Sequence, residues 1–273
     1  MATLDPRTHA YREDLADIAL QGRVKAARFV PGSAGKIIVP IANVHAASDH
    51  ASATLTQALL GEGLKIFETQ NGWHWVQLAA DGYVGYIAAS EADHGVPTGA
   101  HSITTTLTHV YALPDIKSQP LEMLPLGARV LATGGRDDVW LSLARGGYIK
   151  ASAAQPLPEI DFVTIAARLI GAPYLWGGRT ALGIDCSGLV QLCLHMTGRA
   201  CPRDSDQQAE ALGAPLPNNA SLRRGDLIFF KGHVGIMWDG VQLLHANATT
   251  MNVAIEPLAA VQECAEFTVM KRL

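Results

Sequence analysis

From about Lys36 to Ala89 apolar residues recur in short alternating runs: KIIVPIANVHAA, GLKIFETQNG, WHWVQLAADG and YVGYIAA, separated by glycine, asparagine and aspartate. A period of two marks strands with one buried face, and the breakers mark the turns between them. Val76 and Leu78 lead into Asp81-Gly82, and Tyr83, Val84 and Tyr86 follow, which predicts neighbouring strands joined by a tight turn. So many short strands in so little chain predict a small barrel over 36–90, since closure removes exposed edges. Trp73 and Trp75, in NGWHW, fit its core or rim.

A weaker echo follows over 100–156. THVYALP resembles the opening of the first unit, GARVLATGGRDDVWLSLARGGYIKA its later part, and Gly146-Gly147-Tyr148-Ile149 stands where Gly82-Tyr83-Val84-Gly85-Tyr86-Ile87 stood. The repetition predicts a second copy of the same small barrel. Residues 88–101, with Gly95, Pro97 and Gly99, read as a linker, and 1–35 as an amino-terminal extension.

After Pro156-Leu157-Pro158 the pattern changes, opening a third region over 157–273. Asp161 can cap a helix whose Phe162, Ile165, Ala166, Leu169 and Ile170 share one face until Gly171 and Pro173 end it. A second helix is predicted to begin at Cys186, where Leu189, Val190, Cys193 and Leu194 recur at helical spacing before Gly198. Beyond residue 222 come strands: DLIFF, HVGIMW, VQLLHA and EFTVMK. Helices first and antiparallel strands afterwards make an α+β domain.

Composition narrows the function classes. The chain has 273 residues, 48% of them apolar, and a formal charge of -4 from 21 basic and 25 acidic side chains. No basic block stands out, so nucleic acid is not an expected partner. The longest apolar runs, such as Leu227 to Phe230, are too short to span a bilayer, and MATLDPRTHAYREDL lacks a basic leader and an apolar core. A cytoplasmic protein without a membrane partner is the expectation. The four cysteines, Cys186, Cys193, Cys201 and Cys264, show no close CxxC pairing and read as reduced thiols.

The candidate chemistry sits in GGRTALGIDCSGLV, residues 177–190. Glycines 177, 178 and 183 allow a loop that turns into a helix, with Cys186 in its first turn. Backbone N–H groups there lack intrahelical acceptors, so a thiolate is favoured, and the N–H of Cys186 can face a developing oxyanion. A lone cysteine in that place is more often a small buried hydrophobe. Two histidines shift the balance. His233 opens the strand after DLIFF, and His245 lies near the end of the next. With Asp239-Gly240 as a two-residue turn, residue 233 faces about residue 246, which brings His245 beside His233. His233 would take the thiol proton, or hold the thiolate as its ion-pair partner, and then give a proton to the leaving amine, while His245 orients His233. A zinc site from the same three residues is the rival reading, but it lacks an evident fourth ligand.

Residues 172–189 (APYLWGGRTALGIDCSGL), 223–238 (RRGDLIFFKGHVGIMW) and 243–248 (LLHANA) resemble the NlpC/P60 family of bacterial cell-wall peptidases, over about the last 115 residues. The resemblance implies a papain-like fold preceded by two small SH3-like β-barrels. It further implies a cofactor-free cysteine peptidase that cuts the bond between γ-D-glutamate and meso-diaminopimelate or lysine in peptidoglycan-derived stem peptides. Cys186 matches the nucleophile, His233 the base and His245 the third member. Tyr174 matches the tyrosine that reaches the active site; Asp185 and Ser187 match a ligand-binding pair. Arg203 and Asp204, in CPRDSDQQ, resemble the segment after the nucleophile helix.

With SH3-like modules in front, the subclass it resembles is the cytoplasmic recycling enzymes that release L-Ala-γ-D-Glu from free muropeptides. In these, the first SH3-like module supplies a tyrosine and an acidic residue for the free amine. Tyr83 matches the tyrosine. This chain reads NVHAASDH where relatives place a glutamate, with Ala47 nearest and Asp49 two residues later as the substitute carboxylate. Two other readings compete: an exported hydrolase of intact peptidoglycan, and a non-catalytic peptide-binding protein.

Overall fold

The computed structural model describes residues 4–96, 99–133, 139–154 and 161–273. The chain falls into two compact units, Met1–Pro156 and Leu157–Leu273. The boundary tripeptide Pro156-Leu157-Pro158, Pro97 of the expected linker and residues 134–138 of the expected repeat lie outside the described residues.

In the first unit the alternating runs form a seven-stranded antiparallel sheet. Its order is Thr54–Leu59, Ile41–His45, Val84–Ala88, Trp73–Leu78, Gly63–Gln70, Ser33–Ile37 and Ala92–His94. Val44, Ile66, Val76, Leu78, Tyr83 and Ile87 fill its core. The turn expected at Asp81-Gly82 is present: Leu78 N–H donates to the Tyr83 carbonyl at 2.8 Å, and Gly82 takes φ +78°. The expected closure into a barrel is not found among the described residues; the sheet is open. Its last strand, Ala92–His94, is only three residues long and uses its ladder on Ser33–Ile37. The residues before 36 cover part of the sheet, with Ala10 and Leu15 against Phe67 and Trp75.

The echo over 100–156 contains a four-stranded sheet in the order Pro120–Pro125, Leu107–Tyr111, Tyr148–Lys150 and Trp140–Ser142. Its core of Ile103, Val110, Leu124, Leu141 and Ile149 also takes in Leu60, in the turn that follows the first sheet's Thr54–Leu59 strand. Arg129 N–H donates to the Leu60 carbonyl at 2.7 Å, so the two sheets are joined by backbone as well as by apolar burial.

The second unit opens with α1, Phe162–Ala167, whose N-cap Asp161 accepts from Thr164 N–H. Phe162, Ile165, Ala166 and Leu169 are buried as the spacing predicts, whereas Ile170 is 48% exposed. The helix stops at Ala167 and the chain turns, which rotates residue 170 off the buried face. Helix α2 runs from Cys186 to Met196 and α3 from Ser205 to Ala211. A six-stranded sheet follows, in the order Ala214–Pro215, Phe267–Arg272, Leu227–Phe230, His233–Met237, Gln242–Asn247 and Asn252–Pro257. Helix α4, Leu258–Cys264, connects its two flanks. Nearly every residue of α2 is buried, which fits a central helix laid on the sheet.

Candidate active site

Cys186 is the first residue of α2, as the glycine-rich loop predicts. Asp185 is the N-cap, and its carboxylate accepts from the N–H of Gly188 at 2.7 Å and of Gly177 at 2.8 Å. Two loop segments are thereby tied to one side chain. Arg203, 1% exposed, clamps that carboxylate with Nη1 at 3.0 Å and Nη2 at 2.6 Å. It also donates to Ser187 Oγ at 2.8 Å. Asp185 and Ser187, matched by resemblance to a ligand-binding pair, therefore hold their side chains in an internal network with Arg203. Asp204 precedes α3 and is half-buried.

The thiol is 7% exposed and lies within hydrogen-bond reach of the backbone N–H groups of Ser187 and Val234. Val234 follows His233 directly, so the sulfur abuts the start of that strand. Burial, and next the Asp185 charge, push the Cys186 thiol up to about 11 despite these donors. The buried helix start and the carboxylate next to the sulfur oppose the thiolate that the helix-start N–H groups favour. Tyr174 is half-buried and electrostatically coupled to Cys186, and burial followed by that coupling pushes its phenol up to about 12. It stays a neutral hydrogen-bond donor.

His233 and His245 meet, with Nε2 of His233 2.8 Å from Nδ1 of His245 and ring centroids 5.0 Å apart. The register differs by one residue from the expected one. Ile236 pairs with Leu244 and Met237 with Leu243, and Trp238 N–H donates to the Gln242 carbonyl. The loop is thus three residues, Asp239 to Val241, and Asp239 Oδ1 accepts from both Val241 and Gln242 N–H. Continued along the strands, this register puts residue 233 opposite 247, so His245 is its diagonal neighbour on the same face. The two-residue turn would have set His245 on the other face.

Burial, and then the proximity of His245, lower His233 to about 4. His245 is also lowered by burial, while a hydrogen bond and charge from Glu256 act in the opposite direction. Burial thus favours the neutral forms of both Cys186 and His233. Sequence reasoning missed Glu256, whose Oε2 lies 2.8 Å from His245 Nε2. It also missed Asn247, whose Nδ2 is 2.8 Å from the same oxygen. Among the described residues no group of three histidine, cysteine or acidic side chains is arranged to hold a metal ion.

Tyr83 and Asp49 belong to the first unit. Tyr83 is 4% exposed and sits in the apolar core of the seven-stranded sheet. Asp49 is exposed in the turn between Ile41–His45 and Thr54–Leu59, where its Oδ1 accepts from Ala51 N–H.

Comparison with known proteins places both units among described families. Residues 171–271 match the NlpC/P60 family, and residues 44–91 match the bacterial dipeptidyl-peptidase SH3 domain. A γ-D-glutamyl-L-lysine dipeptidyl-peptidase of Bacillus subtilis is 27% identical over 241 residues, covering 77% of this chain and 80% of that protein. Dipeptidyl-peptidase 6 of Lysinibacillus sphaericus is 27% identical over 247 residues, covering 81% and 90%. The crystal structure of an NlpC/P60 family protein from Bacillus cereus shares the fold, with a TM-score of 0.75 at 21% identity over 88% of this chain and 99% of that one.

Proposed function

For this chain, an NlpC/P60 cysteine peptidase with a bacterial SH3 domain in front of it, we propose hydrolysis of the γ-D-glutamyl-L-diamino acid bond of soluble peptidoglycan stem peptides, with release of L-Ala-γ-D-Glu. The observation that carries the reading is the contact of His245, at 2.8 Å, with His233, the residue just before the Val234 N–H that faces the Cys186 thiol. The relatives named γ-D-glutamyl-L-lysine dipeptidyl-peptidase support the choice of bond.

In the mechanism, His233 takes the Cys186 proton as the sulfur attacks the γ-carbonyl carbon. Helix-start N–H groups, with the Tyr174 phenol, face the oxygen that becomes negative. Collapse of the tetrahedral adduct breaks the C–N bond, and His233 gives its proton to the leaving amine. A thioester remains, and water activated by the same imidazole releases the acid and the thiol. Transfer of the acyl group to an amine instead of water would follow the same path.

A cytoplasmic site of action belongs to the same proposal, and thiols at Cys186, Cys193, Cys201 and Cys264 suit a reducing compartment. The test is incubation of the protein, under reducing conditions, with L-Ala-γ-D-Glu-meso-diaminopimelate and its lysine counterpart, with products read by mass spectrometry. Release of the dipeptide is expected, and a complete lack of release from both peptides refutes the proposal. Sacculi run in parallel should be the poorer substrate.

A further inference from the structure

We propose that Glu256 is a positioning residue of this peptidase: its carboxylate selects the tautomer of His245 and, through it, the nitrogen with which His233 accepts the Cys186 proton. The inference rests on the Cys186 peptidase reading above and deepens it.

Four side chains line up on one face of the carboxy-terminal sheet. His245 is paired with Ala254 and Leu243 with Glu256, so Glu256 is the diagonal neighbour of His245 across the Gln242–Asn247 and Asn252–Pro257 strands. Asn247 follows His245 by two residues and shares its face. His233 completes the row from the other side.

The proton arrangement follows from what each atom is able to do. An ionised carboxylate only accepts hydrogen bonds, so the 2.8 Å contact requires His245 Nε2 to carry the hydrogen. Neutral His245 then has a bare Nδ1, which accepts from Nε2–H of His233 at 2.8 Å. His233 is left with a bare Nδ1, the lone pair that a thiol proton needs. The opposite tautomer of His245 would present a donor to His233 Nε2, place the His233 proton on Nδ1, and remove the base.

Asn247 reinforces the choice. Its Oδ1 accepts from the N–H groups of Thr249 at 2.9 Å and Thr250 at 2.7 Å, which settles which end of the amide is nitrogen. Its Nδ2 therefore donates to Glu256 Oε2, and the 3.1 Å approach of Nδ2 to His245 Nε2 is two donors flanking one shared acceptor. The other charged or titratable groups around the relay are His233 on the adjacent strand and, about the thiol, Cys186 and Asp185 at the α2 start, Tyr174 and Arg203. Glu256 is the carboxylate that touches His245, and its side chain is 32% exposed.

The test uses the full chain with E256A, E256Q and, in parallel, C186A. E256A is expected to lower kcat about 10- to 100-fold with KM within about twofold, the signature of a lost proton-transfer geometry. Nitrogen-15 spectra of histidine-labelled protein should show His245 as the Nε2–H tautomer in the parent and a mixed or inverted population in E256A. E256Q keeps the shape and removes the charge, so His245 should titrate at lower pH than in the parent. An unchanged kcat or an unchanged tautomer in E256A overturns the proposal. Should E256A not fold, an unchanged His245 titration in E256Q overturns it equally. C186A separates the two levels: full turnover by C186A refutes the peptidase reading, whereas a dead C186A beside a fully active E256A refutes the relay alone.

Discussion

Arg203 is the residue on which the nucleophile loop depends most directly. Its guanidinium is almost wholly buried against an Asp185 carboxylate that also ties Gly177 and Gly188. Removing one partner of such a pair leaves a charge in low dielectric, which typically costs about 3–5 kcal/mol. R203M is therefore expected to lower stability by that order in urea unfolding, and to reduce turnover because Cys186 follows Asp185 directly. The thiol itself gives a second expectation. With Cys186 near 11 and His233 near 4, the competent pair is neutral thiol plus neutral imidazole. Protonating His233 removes the base, so activity falls only as pH drops through its lowered value. No acid limb is expected near the ordinary histidine value of 6.5, and kcat/KM should stay level between about pH 5.5 and 8.5. Alkylation of Cys186 by iodoacetamide should accelerate only above that range. A steep rise in kcat/KM centred near 6.5 would contradict the neutral pair.

At the scale of elements, the position of the helix and the strands was legible because their signals are local. Asp161 and Asp185 cap where their side chains accept from N–H groups three residues on, and LIFF, HVGIM and QLLHAN are strands where the apolar runs stood. The hairpin between the two histidines was legible in kind and wrong in detail, since Asp239 holds Val241 and Gln242 and adds a third residue to the loop. Deleting Gly240 leaves Asp239 and Val241 as a two-residue turn with Trp238 still opposite Gln242, so the register and the shared face of His233 and His245 should be kept. The His233–His245 contact should then persist in histidine NMR and activity should survive, whereas loss of both would mean that the strand slips by one to keep a three-residue loop. Glu256 was not legible because its relation to His245 is a pairing register between strands, which the NVAIEP run by itself does not fix. Gly188 offers a further check at this scale. A Cβ there would strike the carbonyl oxygen of Gly178. Gly188→Ala should displace α2 from the glycine loop and lower kcat at least as much as it lowers stability.

On the scale of the whole molecule, the two units contain separate apolar clusters. Ile37, Val44, Val76 and Ile87 belong to one, and Ile228, Phe230, Met237 and Leu243 to another. The sequence divides them at a change of hydrophobic period, from alternation before the proline-rich boundary to helical spacing after it. It does not foretell that residues 4–35 and both strand sets before 156 condense into one unit, because Leu60, Ala10 and Leu15 are single apolar residues whose partners lie far along the chain. Destabilisation introduced at Arg203 should accordingly be felt by the amides of its own unit. Hydrogen exchange of R203M is expected to quicken across α2 and the His233–Met237 strand, where the buried pair anchors the loop, and to leave Ile41–His45 and Trp73–Leu78 at parental rates. Equal acceleration in both sets would mean that the chain opens as one cooperative body, and the separate cores would then fail to act as separate units of stability.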